Sequence, residues 1–502
     1  MTVMTDLLVA NRLAEELAPN DLLWRATELL DHGFRVALVS GHDDGDRLRA
    51  VYVFTAAHPD RRVELHVRLP RKAPAVPSLA GLSFPAGRFE REMRDLFGIV
   101  PVDHPLPQRL VRHFHWPRDW YPMLAGSGSP PESAECDGPY PFRTVEGPGV
   151  YEVPVGPVHA GMIGPGHFRF SVVGETVLNL KARLWFTHRG VERLFAGRRP
   201  EAGLELAERV SGDTSVGHTL AFCEAVEDAL GLVAPADARR LRGVLVELER
   251  LYNHVGDLGA LCNDVAYGIL HMHAQRIREQ LLRINDQVCG HRLLRGAVFP
   301  GGATVAELPD MQRLTALGAD IAEIVALALD NSVVVDRFID TAVLTAAQAA
   351  DLGTLGYVAR ASGLAVDARQ DHPWLPDAVP RTRHTRTEGD VLSRFTVRAE
   401  EIAASIPLIG QLVDALDGRT SAATPLPDPA AVTSGIGITE GWRGTIVHRV
   451  ELAADGTLAR VKIVDPSFFN WPALPVALAD TILPDFPLTN KSFNLSYSGN
   501  DL

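Results

Sequence analysis

Between residues 122 and 149 proline and glycine recur so often that neither a helix nor a strand can run through: Pro122, Gly126, Gly128, Pro130-Pro131, Gly138-Pro139, Pro141 and Gly147-Pro148-Gly149. Proline removes backbone donors and glycine leaves the chain too free, so this segment reads as a linker. It divides a chain of 502 residues, 46% of them hydrophobic, which is long enough to bury two cores. The expected division is residues 1–120, a linker over 121–150, and residues 151–502.

The first part alternates helical and strand patterns. Residues 22–30 form an amphipathic stretch capped by Asp21 and stopped near Gly33. Strand-like runs follow at 34–39, 48–54 and 62–69, with Asp43-Asp44-Gly45-Asp46 as a hairpin turn between the first two. Residues 87–97 return to helical spacing. Beyond the linker, two strands at 168–173 and 177–180 flank Gly174-Glu175, and then long helical patterns take over. Leu241, Val244, Leu248, Leu251, Val255 and Leu258 step by three or four, as do Ile277, Leu281, Ile284 and Val288 ahead of Gly290. A third such stretch covers 311–334. Residues 367–390 and 420–429 read as surface loops, and 445–452 with 458–463 flank Asp455-Gly456 as a hairpin. The fold class is therefore α+β: a small α/β domain, then a larger, mainly helical domain with small β-sheets.

Charge and cysteine content exclude several functions. A net charge of -13 repels phosphate backbones, so nucleic acid is not an expected partner. No apolar run is long enough to cross a bilayer, since residues 321–335 are broken by Glu323, Asp330 and Asn331. Residues 1–17 carry Asp6, Glu15 and Glu16 and lack the pattern of a secretory leader, which points to the cytoplasm. Cys136, Cys223, Cys262 and Cys289 are far apart, with no C-x-x-C pair, and the last three read as small buried hydrophobes on helices. The pairs His113/His115 and His271/His273 are too weak to assign a metal. Gly301-Gly302 lacks the surroundings of a phosphate loop, and no nicotinamide site is expected.

Specific strings carry a resemblance. Phe89-Glu-Arg-Glu-Met-Arg-Asp-Leu-Phe-Gly-Ile99, with His104-Pro105 and Arg109-Leu110, resembles the 30 kDa subunit of respiratory complex I. Gly156-Pro-Val-His-Ala-Gly161, Pro165-Gly-His-Phe-Arg-Phe170, His188-Arg-Gly-Val-Glu192, Glu247-Leu-Glu-Arg-Leu-Tyr-Asn-His-Val-Gly256 and Cys289-Gly-His-Arg-Leu-Leu-Arg-Gly296 resemble the complex I 49 kDa subunit. They resemble equally the large subunit of membrane-bound nickel-iron hydrogenases of the hydrogenase-4 and formate hydrogenlyase kind. The resemblance implies a fused 30 kDa/49 kDa arrangement and attachment to the inner face of the cell membrane through partners. Those partners would be an iron-sulfur small subunit, antiporter-like proteins and other integral membrane subunits. Any iron-sulfur cluster is expected in the small subunit, with no cofactor on this chain.

The chain departs from that family at the metal. Nickel-iron hydrogenases grip their two metals with four thiolates in two C-x-x-C pairs, because soft sulfur suits nickel and iron. The matching positions here are Ser211, Thr214, Ser496 and Gly499. Hydroxyls are hard, poorly acidic donors, so the metal is expected to be absent and hydrogenase activity with it. The sequence also ends at Leu502 without the extension many nickel hydrogenases carry past the last ligand. The quinone-binding His and Tyr of the 49 kDa subunit fall on Ile163 and near Gly212, which cannot take their place.

If the fold is retained, the expected residual pocket brings together His159, His167, Arg209, Asp213, Thr214, His218, Ser496 and Asp501. Such a group of imidazoles and carboxylates can move protons or can merely hydrogen-bond to seal the site. The charged residues of 247–250 are expected as exposed or interfacial ion pairs. The activity expected is that of a subunit in an oxidoreductase complex, with a pure scaffold or a quinone-reducing, NADH dehydrogenase-like subunit as the alternatives.

Overall fold

The computed structural model describes residues 11–132, 135–160, 163–375 and 382–502. Most of the leader reading falls on residues 1–10, and Gly161 of the hairpin motif lies outside the described residues as well. Two compact units emerge: Met1–Thr144 with Leu184–His188 and Asp501, and the remainder of the chain. Among the described residues of 122–149 there is no helix or strand.

In the first unit, Arg35–Asp43, Arg47–Ala56 and Arg61–Pro70 form an antiparallel meander, with Val36 opposite Phe54 and Val53 opposite Glu64. A strand without a strong sequence signal, Arg12–Leu17, adds in parallel to the Arg61–Pro70 edge. The helix Phe84–Phe97 starts three residues earlier than its periodicity suggests, because Ser83 caps it by accepting from the Ala86 amide, and it stops at left-handed Gly98. Gly41 lacks a side chain where the Phe97 ring seats, at 2.5 Å from a would-be Cβ. Asp21 precedes the helix Leu22–Asp31 but makes no side-chain cap, since a short 3-10 turn (Pro19–Asp21) leads straight into that helix.

The second unit is built on two long helices, Ala236–Asp264 and Val391–Leu416, packed on each other, with Gly268–Cys289 packed on the first. Their apolar faces merge into one core that includes Leu241, Leu248, Leu251, Ile277, Leu281, Phe395 and Ile409. The helical pattern over 311–334 resolves into two helices, Met311–Leu329 and Ser332–Phe338, because Asn331 accepts from the Val333 and Val334 amides and starts a new one. The C-terminal hairpin gains a third strand: Thr433–Gly441 pairs with Gly444–Leu452, which pairs with Leu458–Val464. Likewise Val150–Val155 joins His167–Val173 and Thr176–Arg183.

Residues 420–429 lie at the surface as expected, although Ser421–Ala423 pairs there with Gly302–Thr304. The segment 367–390 is surface only in part: Asp367, Asp371, His372 and Asp390 are buried, with Asp371 accepting from the Asp367 amide and Asp390 from the Ser393 amide. The charged residues of 247–250 are also interior: Glu247, Glu249 and Arg250 are buried, since partners on distant segments satisfy them. Cys223 and Cys262 are buried, Cys289 is half-buried and Cys136 is exposed. Among the described residues no helix is long and apolar enough to cross a membrane.

The helix Ser215–Ala229 lies directly on the strand Thr433–Gly441, and glycine makes that possible. A Cβ on Gly437 would press on the Ala221 carbonyl, and one on Gly435 on the Ala225 carbonyl and the Ala229 amide. Gly437→Ala is therefore expected to destabilise the protein by about 1–3 kcal/mol through overpacking, with a lower thermal midpoint by circular dichroism. Gly81→Ala, where a Cβ meets nothing within 4 Å, should leave that midpoint unchanged.

Candidate functional site

Three segments far apart in sequence meet in the second unit: the loop before the helix Ser215–Ala229, the turn joining Thr433–Gly441 to Gly444–Leu452, and the tail 492–500. The Ser211 hydroxyl lies 2.9 Å from Asp213 Oδ1 and 2.8 Å from the Ser496 hydroxyl. Ser211 has one proton and gives it to the carboxylate, so the hydrogens run from Ser496 to Ser211 to Asp213. Ser496 also caps the final helix, accepting from the Gly499 amide at 2.9 Å. Thr214 donates to Asp213 Oδ1 at 2.9 Å and accepts from the Trp442 indole at 3.1 Å.

Arg443 closes the cluster. Its guanidinium takes both Asp213 oxygens at 2.7 Å, a bidentate pair, and its Nε donates to the Asn494 carbonyl at 2.6 Å. Enclosure of the Asp213 carboxylate would by itself raise its pKa. The Arg443 charge, with the Arg443, Ser211 and Thr214 hydrogen bonds, outweighs that and holds it well below the ordinary range.

Behind this pair lies an imidazole chain. His218 Nε2 is 3.0 Å from Asp465 Oδ2, and its Nδ1 is 3.1 Å from His448 Nε2, with both rings fully buried. Asp465 is fixed in turn as the cap of the helix Pro466–Asn470. With His218 donating to Asp465, its Nδ1 accepts from His448, which leaves His448 Nδ1 as a buried lone pair without a partner among the described residues. Burial, and then the neighbouring His218, push His448 well below its usual pKa. Burial opposes ionisation of Asp465, but the His218 hydrogen bond and charge, the Arg443 charge and a side-chain hydrogen bond from Ser467 keep it low. Glu249 borders the same loop, accepting from the Val216 and Gly217 amides; burial pushes it up to about 8.

The structure thus unites Ser211, Asp213, Thr214, His218, Ser496 and Gly499. Other expected members are engaged elsewhere. His159 Nε2 bonds the Gly166 carbonyl at 2.7 Å and His167 Nδ1 the Gly156 carbonyl at 3.1 Å, both within the hairpin connection. Arg209 is exposed beside Glu205 and Glu208, and the Asp501 carboxylate accepts from the Thr187 amide and hydroxyl. Ile163 is 55% exposed and carries no polar side-chain atom.

Arg443, His448 and Asp465 were not read from the sequence. Only Asp465-Pro466 carries a local signal, that of a helix cap followed by proline at the first position. Strand alternation does not mark His448 as polar-facing, and Arg443 sits in a turn.

Nickel does not suit this donor set. The hydroxyls of Ser211, Thr214 and Ser496 are committed to Asp213 and to one another, and hydroxyls are weak ligands for a soft site. Gly499 has no donor, and a Cβ there would press on Asp465 Oδ2, with Ser496 Oγ 3.0 Å away. Asp465 thus occupies the space a fourth ligand side chain would need. Among the described residues, no cluster of three or more His, Cys, Asp or Glu could hold a metal.

Two tests follow from this geometry. Gly499→Ala should lower the thermal midpoint by several degrees, since the new methyl must displace a buried carboxylate hydrogen-bonded to His218. The Asp213 pKa is depressed on folding, so its stabilisation is complete at neutral pH and is lost as pH falls through the folded pKa. The gap in thermal midpoint between wild type and Asp213→Asn should therefore close on acidification; a gap constant with pH contradicts the pairing.

Known proteins match this chain in three consecutive blocks. The respiratory-chain NADH dehydrogenase 30 kDa subunit family matches residues 16–126, the nickel-dependent hydrogenase family 189–261, and the respiratory-chain NADH dehydrogenase 49 kDa subunit family 264–432. Hydrogenase-4 component G of Escherichia coli (strain K12) is 32% identical over 82% of this chain and 73% of its own length. Formate hydrogenlyase subunit 5 of the same organism is 30% identical over 88% of this chain and 79% of its own. The carbon monoxide-induced hydrogenase of Rhodospirillum rubrum is 33% identical over 68% of this chain and 97% of its own. In fold, a chain from the structure of the membrane-bound sulfane sulfur reductase, an archaeal respiratory membrane complex, superposes with a TM-score of 0.63. It is 22% identical and covers 70% of this chain and 98% of its own. The chain belongs to the fused complex I 30 kDa/49 kDa-type family that includes hydrogenase-4 component G and formate hydrogenlyase subunit 5.

Proposed function

We propose that this chain is the large subunit of a membrane-bound oxidoreductase complex in which a hydrogen-bonded polar cluster stands in place of nickel, and that the cluster couples electron arrival to proton movement. The observation that supports this reading is that two hydrogen-bonded chains stand at the thiolate positions, Ser496, Ser211 and Asp213 in one and Asp465, His218 and His448 in the other, with the Arg443 charge acting on both carboxylates. We assign proton transfer to His218 because it lies between a carboxylate, Asp465, and a second imidazole, His448, which donates to its Nδ1. Electrons would come from an iron-sulfur partner subunit, and antiporter-like and other integral membrane subunits would hold the assembly at the inner face of the membrane. Relatives at 30% identity or more include, by name, hydrogenase and hydrogenlyase components and also NADH-quinone oxidoreductase D subunits, which favours an oxidoreductase assembly of this kind.

One feature favours a second reading, that of a scaffold. Ser211, Thr214 and Ser496 are all satisfied by hydrogen bonds, as in a sealed interior. A quinone-reducing role has less support, because Ile163 and Gly212 offer no hydrogen-bonding side chain.

The two leading readings separate in the intact complex purified with its iron-sulfur and membrane subunits. His218→Ala should lower electron-transfer turnover by about 100-fold, the usual worth of a positioned proton-transfer group; unchanged turnover would leave the scaffold role. Metal analysis of the anaerobically purified complex should find no stoichiometric nickel on this chain.

A further inference from the structure

A second buried polar cluster lies where the helices Ala236–Asp264, Gly356–Ala361 and Val391–Leu416 meet the strand Thr433–Gly441. Four carboxylates, Glu247, Asp367, Glu401 and Glu440, face three guanidiniums, Arg250, Arg360 and Arg369. Six of the seven are at most 2% exposed, and the Arg369 side chain is 9% exposed. Glu440 accepts from Arg360 at 2.9 Å, from the Ala368 amide at 3.0 Å and from the Thr445 hydroxyl at 2.9 Å. Arg360 also pairs with Glu401, and Glu401 meets His254 Nε2 at 2.8 Å. Glu247 binds Arg250 at 3.0 Å and Ser405 at 2.5 Å, and Arg369 binds Asp367 at 2.7 Å.

The flanking charges cancel among themselves. Asp371 pairs with Arg383 at 2.6 Å, and Asp257 with Arg398 at 3.1 Å. The seven-member cluster therefore has one carboxylate too many. An uncompensated charge in a protein interior is expensive, and binding a proton is the cheapest remedy. We propose that this cluster is a proton-binding site, loaded with one proton at neutral pH on Glu440, with the His254 imidazole as the alternative seat.

Two features pick out these seats. Burial, and then repulsion from Asp367, raise the Glu440 pKa, whereas guanidiniums overcome burial and hold Glu247, Asp367 and Glu401 low. His254 Nδ1 is buried without a hydrogen-bond partner among the described residues, so it has a lone pair open to a proton, although burial lowers its affinity. A cavity of about 10 Å³ bordered by Glu440, Glu247, Arg369 and Trp374 has room for about one water to deliver the proton.

The site is linked to the cluster described above through the backbone. Arg250 donates to the carbonyls of Glu440 at 2.9 Å and Gly441 at 3.2 Å, and the next two residues are Trp442 and Arg443. The Trp442 ring also meets His254 edge-on at 5.9 Å. Loss of the proton places a new charge on the residue that begins the turn carrying Arg443 to Asp213. The inference does not depend on whether His218 moves protons.

A carboxyl whose pKa is raised on folding contributes stability that declines as pH rises toward the folded value. In the full-length protein, Glu440→Gln removes the surplus charge. It should fold, match or exceed the wild-type thermal midpoint at neutral pH, and gain on wild type as pH rises. Its infrared spectrum should lose a protonated-carboxyl C=O band that wild type shows at neutral pH. A lower midpoint at neutral pH, with that band unchanged, overturns the proposal. Should Glu440→Gln fail to accumulate, a Glu90→Gln/Glu249→Gln background removes two buried carboxyls whose pKa is raised to about 7 and about 8. A protonated-carboxyl band must remain there at neutral pH and disappear on alkalinisation, and its absence refutes the site.

Discussion

The bidentate pair between Asp213 and Arg443 is the contact on which the arrangement of the second unit's polar interior depends. It joins a loop, a β-turn and, through the Arg443 bond to the Asn494 carbonyl, the C-terminal tail. None of these segments has regular structure of its own at the point of contact, so each is positioned by what it binds. Ser211, Thr214 and Trp442 attach to the same carboxylate or its backbone, which makes Asp213 the shared acceptor of the whole cluster. A buried anion with several donors is a strong constraint because leaving any donor unmatched costs more than the bond itself contributes.

The same contacts join the loop 211–214 to the C-terminal tail without any thiolate. Sulfur-to-metal bonds would join the 211–214 loop to the tail, and here a Ser496 to Ser211 hydrogen bond joins the same two segments. The volume next to Gly499 is taken by Asp465, whose charge is stabilised by His218. Shape and connectivity are kept while the soft donors are replaced by hard, protonatable ones.

Much of the fold was legible in local patterns. The long helices Ala236–Asp264 and Gly268–Cys289 and the hairpin around Asp455-Gly456 show plainly, because period and turn residues are local properties. The strands Arg12–Leu17, Val150–Val155 and Thr433–Gly441 did not, since strand formation depends on pairing and packing against other segments more than on local pattern. Asp367 and the charged residues of 247–250 looked like solvent-facing groups because part of what buries them lies on other segments: Arg369 reaches Glu247 and Arg360 lies beside Asp367. Of the site, Ser211, Asp213, Thr214, His218 and Ser496 came from motif positions, whereas Arg443, His448 and Asp465 lie in segments with no motif.

By itself the sequence determined the family and the absence of any C-x-x-C pair, because these reside in residue identity and spacing along the chain. Only the tertiary structure decided which groups surround Ser211 and Thr214, which carboxylates are buried, and that four of them share three guanidiniums. Charge balance and hydrogen-bond satisfaction are sums over neighbours in space, and chain order does not reveal those neighbours.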